Sequence, residues 1–120
     1  MSTRRKELGR RGEQLAEQFL RNRGFAILDR NVQNRHGEID LIAVDQQTLV
    51  FIEVRTRSGT GYGTPAESIT WRKRRKLREL ALAYLQEGAS PFRQVRFDVV
   101  GIVFKPGSDV PHISHIPNAF

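Results

Sequence analysis

The chain has 120 residues and no cysteine, and its 20 lysines and arginines outnumber 13 acidic residues to give a net charge of +7. This length suits one domain that buries roughly two-thirds of its unfolded surface. The composition excludes disulfides, cysteine–zinc sites and thiol catalysis, and no apolar run approaches a membrane span. We therefore expect a single cytoplasmic domain over residues 1–120, with a core at about 5–104, a tail at 105–120 and no membrane association. The positive charge fits a polyanionic partner, although proteins that bind no nucleic acid carry similar excesses.

Hydrophobic periodicity predicts alternating helical and extended segments. In chain order these are a helix at 5–23, a strand at 25–32, a turn at 33–37, strands at 38–45 and 48–57, a glycine-rich loop at 58–65, a helix at 66–87, a strand at 95–104 and a short edge strand at 112–116. The order α-β-β-β-α-β predicts an α/β fold with a mixed central sheet flanked by helices.

Charged residues interrupt the two strands of the central hairpin. If the turn centres on Gln46-Gln47, then Asp40 lies opposite Glu53, and Glu38 lies opposite Arg55. Strand alternation then places all four side chains on one face. Two carboxylates about 5 Å apart repel each other unless a cation lies between them, and magnesium is held by one or two carboxylates with waters and substrate phosphate.

Other readings of this hairpin stay open. A three- or five-residue loop would shift the pairing, because Gln-Gln is not a strong turn dipeptide. The acidic residues can also form an ordinary salt-bridged cluster with Arg55 and Arg57, or Glu38 can simply pair with Arg55.

The motifs together resemble a known family. The segments concerned are Gly12-Glu13, Gly37-Glu38-Ile39-Asp40-Leu41-Ile42-Ala43, Phe51-Ile52-Glu53-Val54-Arg55-Thr56-Arg57 and Arg96-Phe97-Asp98-Val99-Val100. In order and spacing they resemble the restriction-endonuclease-like superfamily with the PD-(D/E)XK motif. More narrowly, the chain resembles the YraN-type uncharacterised protein family, which is similar to Holliday junction resolvases.

This resemblance implies a metal-dependent nuclease. Asp40 and Glu53 would occupy the metal-binding carboxylate positions for Mg²⁺ or Mn²⁺, with the backbone carbonyl of Val54 as a further ligand. Glu13 matches a helical glutamate of resolvase-like members, but between arginines it also suits a surface ion pair.

Arg55 stands where the superfamily motif has lysine. Arginine is not deprotonated in proteins, so Arg55 cannot serve as a general base. It can hold a scissile phosphate through two parallel hydrogen bonds, and we assign it that catalytic role.

A basic run opens the second long helix: six of the seven residues at 72–78 are cationic. Cations near a helix N-terminus oppose the helix dipole, which favours phosphate contact over helix stability as their explanation. A solvated charged face is the alternative. The candidate nucleic-acid-binding residues are Arg10, Arg11, Arg57, Tyr62, Arg72, Lys73, Arg74, Arg75 and Lys76.

Three functions compete. The first is an endonuclease acting on structured or branched DNA, and the second is a non-catalytic nucleic-acid-binding module. The third is an interaction protein with an acidic partner. A homodimer would suit a symmetric junction, and the tail offers Val110, Ile113, Ile116 and Phe120 as candidate interface residues. Asp98 interrupts an apolar strand and suits pairing with a buried arginine or capping of a loop.

Overall fold

The computed structural model describes residues 3–59, 68–88, 92 and 94–120, with side chains from residue 6 onward. The elements are α1 (Thr3–Asn22), β1 (Ala26–Asn34), β2 (Gly37–Asp45), β3 (Thr48–Ser58), α2 (Trp71–Glu87), β4 (Gln94–Phe104) and β5 (His112–Ile116). This order confirms the predicted mixed α/β fold, which is consistent with a restriction-endonuclease-like core.

The five strands form one sheet in the order β1-β2-β3-β4-β5. Pairing is antiparallel except between β3 and β4, which are parallel because α2 crosses between them. The hairpin turn centres on Gln46-Gln47 as predicted, since Asp45 pairs with Thr48 and the register continues to Leu41 opposite Ile52.

The two helices cover opposite faces of the sheet. Ala16 and Leu20 of α1 pack with Val50 and Ile52 of β3. Leu77 and Leu80 of α2 pack with Phe51, the residue between those two on the strand. Because neighbouring strand residues point to opposite faces, the sheet has one apolar core under each helix.

The second helix begins at Trp71, so the predicted start at 66 is wrong. The hydroxyl of Thr70 accepts a hydrogen bond from the backbone N–H of Lys73 at 3.1 Å and caps the helix. Residues 66–67 and most of the predicted loop lie outside the described residues. Neither described helix combines the length and the apolar character that a membrane span requires.

The tail packs against the sheet. Residues 112–116 form β5 beside β4, which confirms the predicted edge strand. Ile113 packs against the core under α1, and the ring of Phe120 stacks on Phe97 with centroids 5.3 Å apart. These two side chains and Ile116 are partly buried, whereas Val110 is 77% exposed, and a role for the four residues in a dimer interface stays a prediction.

Candidate metal and nucleic-acid site

The carboxylate site lies where β2 and β3 separate. Their described pairing ends at Leu41 opposite Ile52. Beyond it, the backbone N–H of Val54 donates to Oδ2 of Asp40 at 2.8 Å. A side-chain carboxylate thus satisfies a backbone amide at the point where the strand ladder stops, and Asp40 is fixed against β3.

Strand alternation breaks at the same point. Ile39 and Ile42, three residues apart, both pack under α2, whereas Leu41 packs under α1. On the neighbouring strand Asn31 has a φ of 49°, a left-handed conformation that asparagine tolerates better than most residues. Asp40 lies at this break.

The predicted single face of four charged side chains is therefore wrong in part. Arg55 does not pair with Glu38. Its Nη2 lies 3.5 Å from Glu53 on its own strand, and Glu38 instead accepts a hydrogen bond from the Asn31 amide at 2.9 Å. Strict alternation does not hold along β2 between Ile39 and Ile42, which is why the face assignment failed.

Asp40 and Glu53 do come together as predicted. The Glu53 side chain is only 6% exposed. Burial first, and then repulsion from Glu53, raise the pKa of Asp40 to about 8, against the opposing effect of the Val54 N–H. Without a metal ion, the Asp40 carboxyl therefore holds a proton at neutral pH.

Glu13 extends the cluster from α1. Its Oε1 accepts a hydrogen bond from the Asn31 amide at 3.1 Å. Burial raises the pKa of Glu13, as does the nearby charge of Asp40 and Glu38, while the Asn31 hydrogen bond partly offsets this. Glu13 is thus part of the carboxylate cluster and not a surface partner of the neighbouring arginines. Sequence reasoning missed Asn31, for which the one available signal was an asparagine inside a strand.

Gly12 explains how α1 comes this close to β3. A methyl group on its Cα would lie 2.0 Å from the hydroxyl oxygen of Thr56 and 3.0 Å from two of its carbons. Any other residue would therefore push the helix away from the strand. The Gly12-Glu13 pair combines close packing with the delivery of a carboxylate.

Two cationic side chains lie near Glu53 at the long end of ion-pair distances. Nη2 of Arg55 and Nζ of Lys73 lie 3.5 and 3.7 Å from the same carboxylate oxygen. Nε of Arg55 is buried and has no hydrogen-bond partner in the described part of the chain. The arginine thus has a donor available for a bound anion. Lys73 was predicted to contact nucleic acid along the helix, and the structure places its amine beside the carboxylates.

The remaining basic residues of α2 divide into an outer and an inner set. Arg72, Arg75 and Lys76 are exposed. Trp71 is 73% exposed, with the Arg75 guanidinium 5.8 Å from its ring centroid. Arg74 turns inward instead, because its Nε donates to a backbone carbonyl at 3.2 Å.

The other predicted basic contacts lie apart from this helix. Arg10 is exposed on α1, and the Arg11 guanidinium lies 5.0 Å from the ring centroid of Phe104. Arg57 is half-buried on β3. Tyr62 falls outside the described residues.

Asp98 belongs to a separate, structural network. It is fully buried, and its carboxylate accepts two hydrogen bonds from Arg96 and one from the Asn118 N–H. Nε2 of His115 lies 2.8 Å from the same carboxylate, and the histidine side chain is only 6% exposed. Burial alone would raise the pKa of Asp98, but these partners outweigh it and lower the pKa. The predicted pairing with an arginine is confirmed, and the network fastens the tail to β4.

The oxygen atoms of the carboxylate cluster can be compared with the ligands that a divalent cation needs. No group of three or more acidic or histidine side chains among the described residues has the spacing of a ready-made metal cage. Asp40 and Glu53 lie close together, and the half-buried Glu13 lies beside them. This arrangement fits an ion that is bound by one or two carboxylates and keeps several waters. The residues therefore fit magnesium or manganese, with the remaining ligands from water and phosphate.

The chain is similar to many proteins of one family. The uncharacterised protein family UPF0102 matches residues 12–102. A UPF0102 protein of Nocardia farcinica is 50% identical over 113 residues, covering 94% of this chain and 88% of the relative. A UPF0102 protein of Pelotomaculum thermopropionicum is 45% identical over the full length of both chains, and one of Dictyoglomus turgidum is 37% identical over 96% of this chain and 98% of its own length. The matched range includes α1 from Gly12, the hairpin with both central carboxylates and most of β4. The chain therefore belongs to the uncharacterised protein family UPF0102.

Proposed function

We propose that this protein is a metal-dependent endonuclease that hydrolyses phosphodiester bonds in branched or otherwise structured DNA, with Mg²⁺ or Mn²⁺ as cofactor. The observation that carries this proposal is the enforced proximity of Asp40 and Glu53 at the end of the β2–β3 ladder. Two adjacent like charges, one buried at Glu53 and one half-buried at Asp40, are costly, and a divalent cation relieves the cost. Such perturbed carboxylates are typical of functional sites.

Asp40 and Glu53 would hold the ion, with the Val54 carbonyl and Glu13 as further candidate ligands. The bound metal would supply Lewis-acid polarisation of a phosphate oxygen and an activated water. The residues of the chain do the positioning. Asp40 is fixed by the Val54 N–H, and Glu13 is held in place by the Asn31 amide.

Arg55 suits the anionic substrate. Its Nε is buried and has no hydrogen-bond partner among the described residues, and its Nη2 lies 3.5 Å from Glu53. A phosphate that accepts hydrogen bonds from this fork would be positioned next to the carboxylates, and the permanent positive charge would offset charge that develops in the transition state. Arg55 binds and stabilises in this account and does not remove a proton.

Nucleic acid as the partner is supported by the net charge of +7 and by the exposed face of Arg72, Arg75 and Lys76. Such side chains contact phosphates and give affinity that depends on salt and not on sequence. Trp71 adds an exposed ring on which an unpaired base can stack.

A second function is favoured by one observation. Arginine at the position of the motif lysine leaves Arg55 without proton-transfer chemistry, and this fits a non-catalytic module that binds nucleic acid on a nuclease-like fold.

The test is metal-dependent cleavage of a labelled four-way junction beside linear duplex, with Mg²⁺ and Mn²⁺ titrated separately. We expect cleavage by the wild type that is lost in Asp40→Asn and in Glu53→Gln. Asp109→Asn, an exposed aspartate, is the matched control and retains it. Junction binding without cleavage in either metal would move the conclusion to the binding module. Cleavage that persists in Asp40→Asn would refute the site.

A further inference from the structure

We infer that the groove between α1 and β1 binds an unpaired strand of nucleic acid leaving the carboxylate cluster, so that the preferred substrate is a duplex with a single-stranded branch. This inference rests on the proposed function for its substrate class and names the form of that substrate.

The groove has a volume of about 600 Å³ and follows one stripe of α1 from Arg10 to Asn22, with Arg30 and Asn31 of β1 opposite. This thirteen-residue stretch spans twelve steps of 1.5 Å, which is about 18 Å. At 3.4 Å per nucleotide, this matches roughly five stacked nucleotides, and fewer when the strand is extended.

The α1 wall of the groove is rich in amides. Gln14, Gln18 and Asn22 line it, and all three are exposed. An amide side chain both donates and accepts hydrogen bonds, as the edges of bases do. Single strands are recognised at base edges that pairing does not occupy, so this wall suits unpaired bases better than a duplex backbone.

The charge of the groove also permits an anion. Its central acid, Glu17, accepts hydrogen bonds from Arg30 at 2.6 Å and from Arg21 at 3.0 Å. The Arg30 hydrogen bond above all lowers the pKa of Glu17, so that its charge stays neutralised. Arg10 forms no ion pair with the side chains that the structure describes, and it leaves the groove net positive.

The groove opens directly on the carboxylate cluster. Glu13 and Asn31 line it and also belong to the cluster. The basic face of α2, with Arg72 and Arg75, lies on the other side of the sheet. A nucleic acid that contacts both surfaces must separate at the cluster into two parts. In this arrangement a duplex arm lies on α2 and a single strand lies along α1.

The experiment measures fluorescence anisotropy in EDTA, so that cleavage plays no part. The probes are a linear duplex, the same duplex with a single-stranded branch, and an oligo-dT strand. The groove variant is Gln14→Ala with Gln18→Ala, two exposed changes to a stronger helix former that leave the fold intact. The comparison variant is Arg72→Gln with Arg75→Gln.

We expect the groove variant to bind the branched probe about tenfold more weakly, the loss typical of two side-chain hydrogen bonds, with linear duplex binding unchanged. The α2 variant should weaken both duplex probes. Equal effects of the groove variant on branched and linear probes, or no effect on either, would overturn the inference and leave the proposed nuclease standing. Selective binding through the groove, together with no cleavage in the Mg²⁺ and Mn²⁺ assay of the proposed function, would overturn the nuclease and leave the groove assignment intact. Absence of binding to every probe would overturn the inference, and the cleavage assay would decide the nuclease separately.

Discussion

Replacing Asp40 by asparagine should stabilise the metal-free protein at neutral pH. The folded carboxyl has a pKa of about 8 against an ordinary value of 3.8, so folding requires it to keep a proton that the unfolded chain releases. Because the folded pKa is raised, the contribution of this carboxyl to stability is greatest below pH 4 and falls as the pH rises towards 8. At about 1.4 kcal/mol per pH unit over roughly three units, the cost at pH 7 is at most about 4 kcal/mol.

Asparagine mimics the protonated acid. Its carbonyl oxygen accepts the hydrogen bond of the Val54 N–H, and its amide donates to Glu53 where the wild type has repulsion. Water penetration and relaxation reduce the full cost. We therefore expect a gain of at least about 1 kcal/mol at pH 7, which raises the melting temperature of a domain this size by about 4 °C.

The assay is thermal unfolding in EDTA at pH 4 and pH 7 for the wild type, Asp40→Asn and the exposed control Asp109→Asn. The gain from Asp40→Asn should be present at pH 7 and vanish at pH 4, and the control should show neither effect. An Asp40→Asn protein that is equally destabilised at both pH values would mean that Asp40 is ionised in the fold. The enforced pairing with Glu53 would then be refuted.

Three further changes test the rest of the structure. Gly12→Ala should lower the free energy of unfolding in urea by about 1–3 kcal/mol, because its methyl group collides with Thr56. Adding Thr56→Ala to that variant should recover part of the loss. No loss of stability in the single variant would contradict the close contact. Asp98→Asn should lower the free energy of unfolding by about 3–5 kcal/mol. Because the folded pKa of Asp98 is lowered, the wild type loses this stabilisation as the pH falls below 4, and the variant should lack that pH-dependent loss. An acid unfolding transition that is the same in both proteins would contradict the network. Arg72→Gln with Arg75→Gln should reduce the slope of log affinity against log salt for linear duplex by about two, and an unchanged slope would show that α2 does not contact phosphate.

Much of the fold follows from local pattern. Alternation of apolar residues fixed the strands of the hairpin, and its turn at Gln46-Gln47 set a register that the structure confirms. Because the side-chain period of a strand is two, that register was enough to predict that Asp40 and Glu53 come together.

The rest of the site depends on features that alternation does not encode. The alternation of β2 breaks between Ile39 and Ile42, and Glu38 lies beside the Asn31 amide, which also binds Glu13, and not beside Arg55. The approach of Lys73 to Glu53 depends on where Thr70 starts α2, and a helix boundary is the least certain part of a sequence-based assignment.

The tail shows the same limit. The sequence does not distinguish three apolar residues near the C-terminal end, Val110, Ile113 and Phe120. In the structure Val110 is exposed, whereas Ile113 and Phe120 are partly buried. Between Ile113 and Phe120, the Asn118 N–H donates to Asp98 and holds the segment against β4. That contact joins residues twenty positions apart and leaves no periodic signal.

The most direct test of the account is cleavage of a labelled four-way junction in Mn²⁺ by the wild type and by Asp40→Asn, after melting curves show that both are folded. The account predicts cleavage by the wild type and none by the folded variant, because an amide at position 40 removes one of the two carboxylates that would hold the ion. Cleavage of equal rate by both proteins would contradict the central claim that Asp40 and Glu53 form the catalytic metal site.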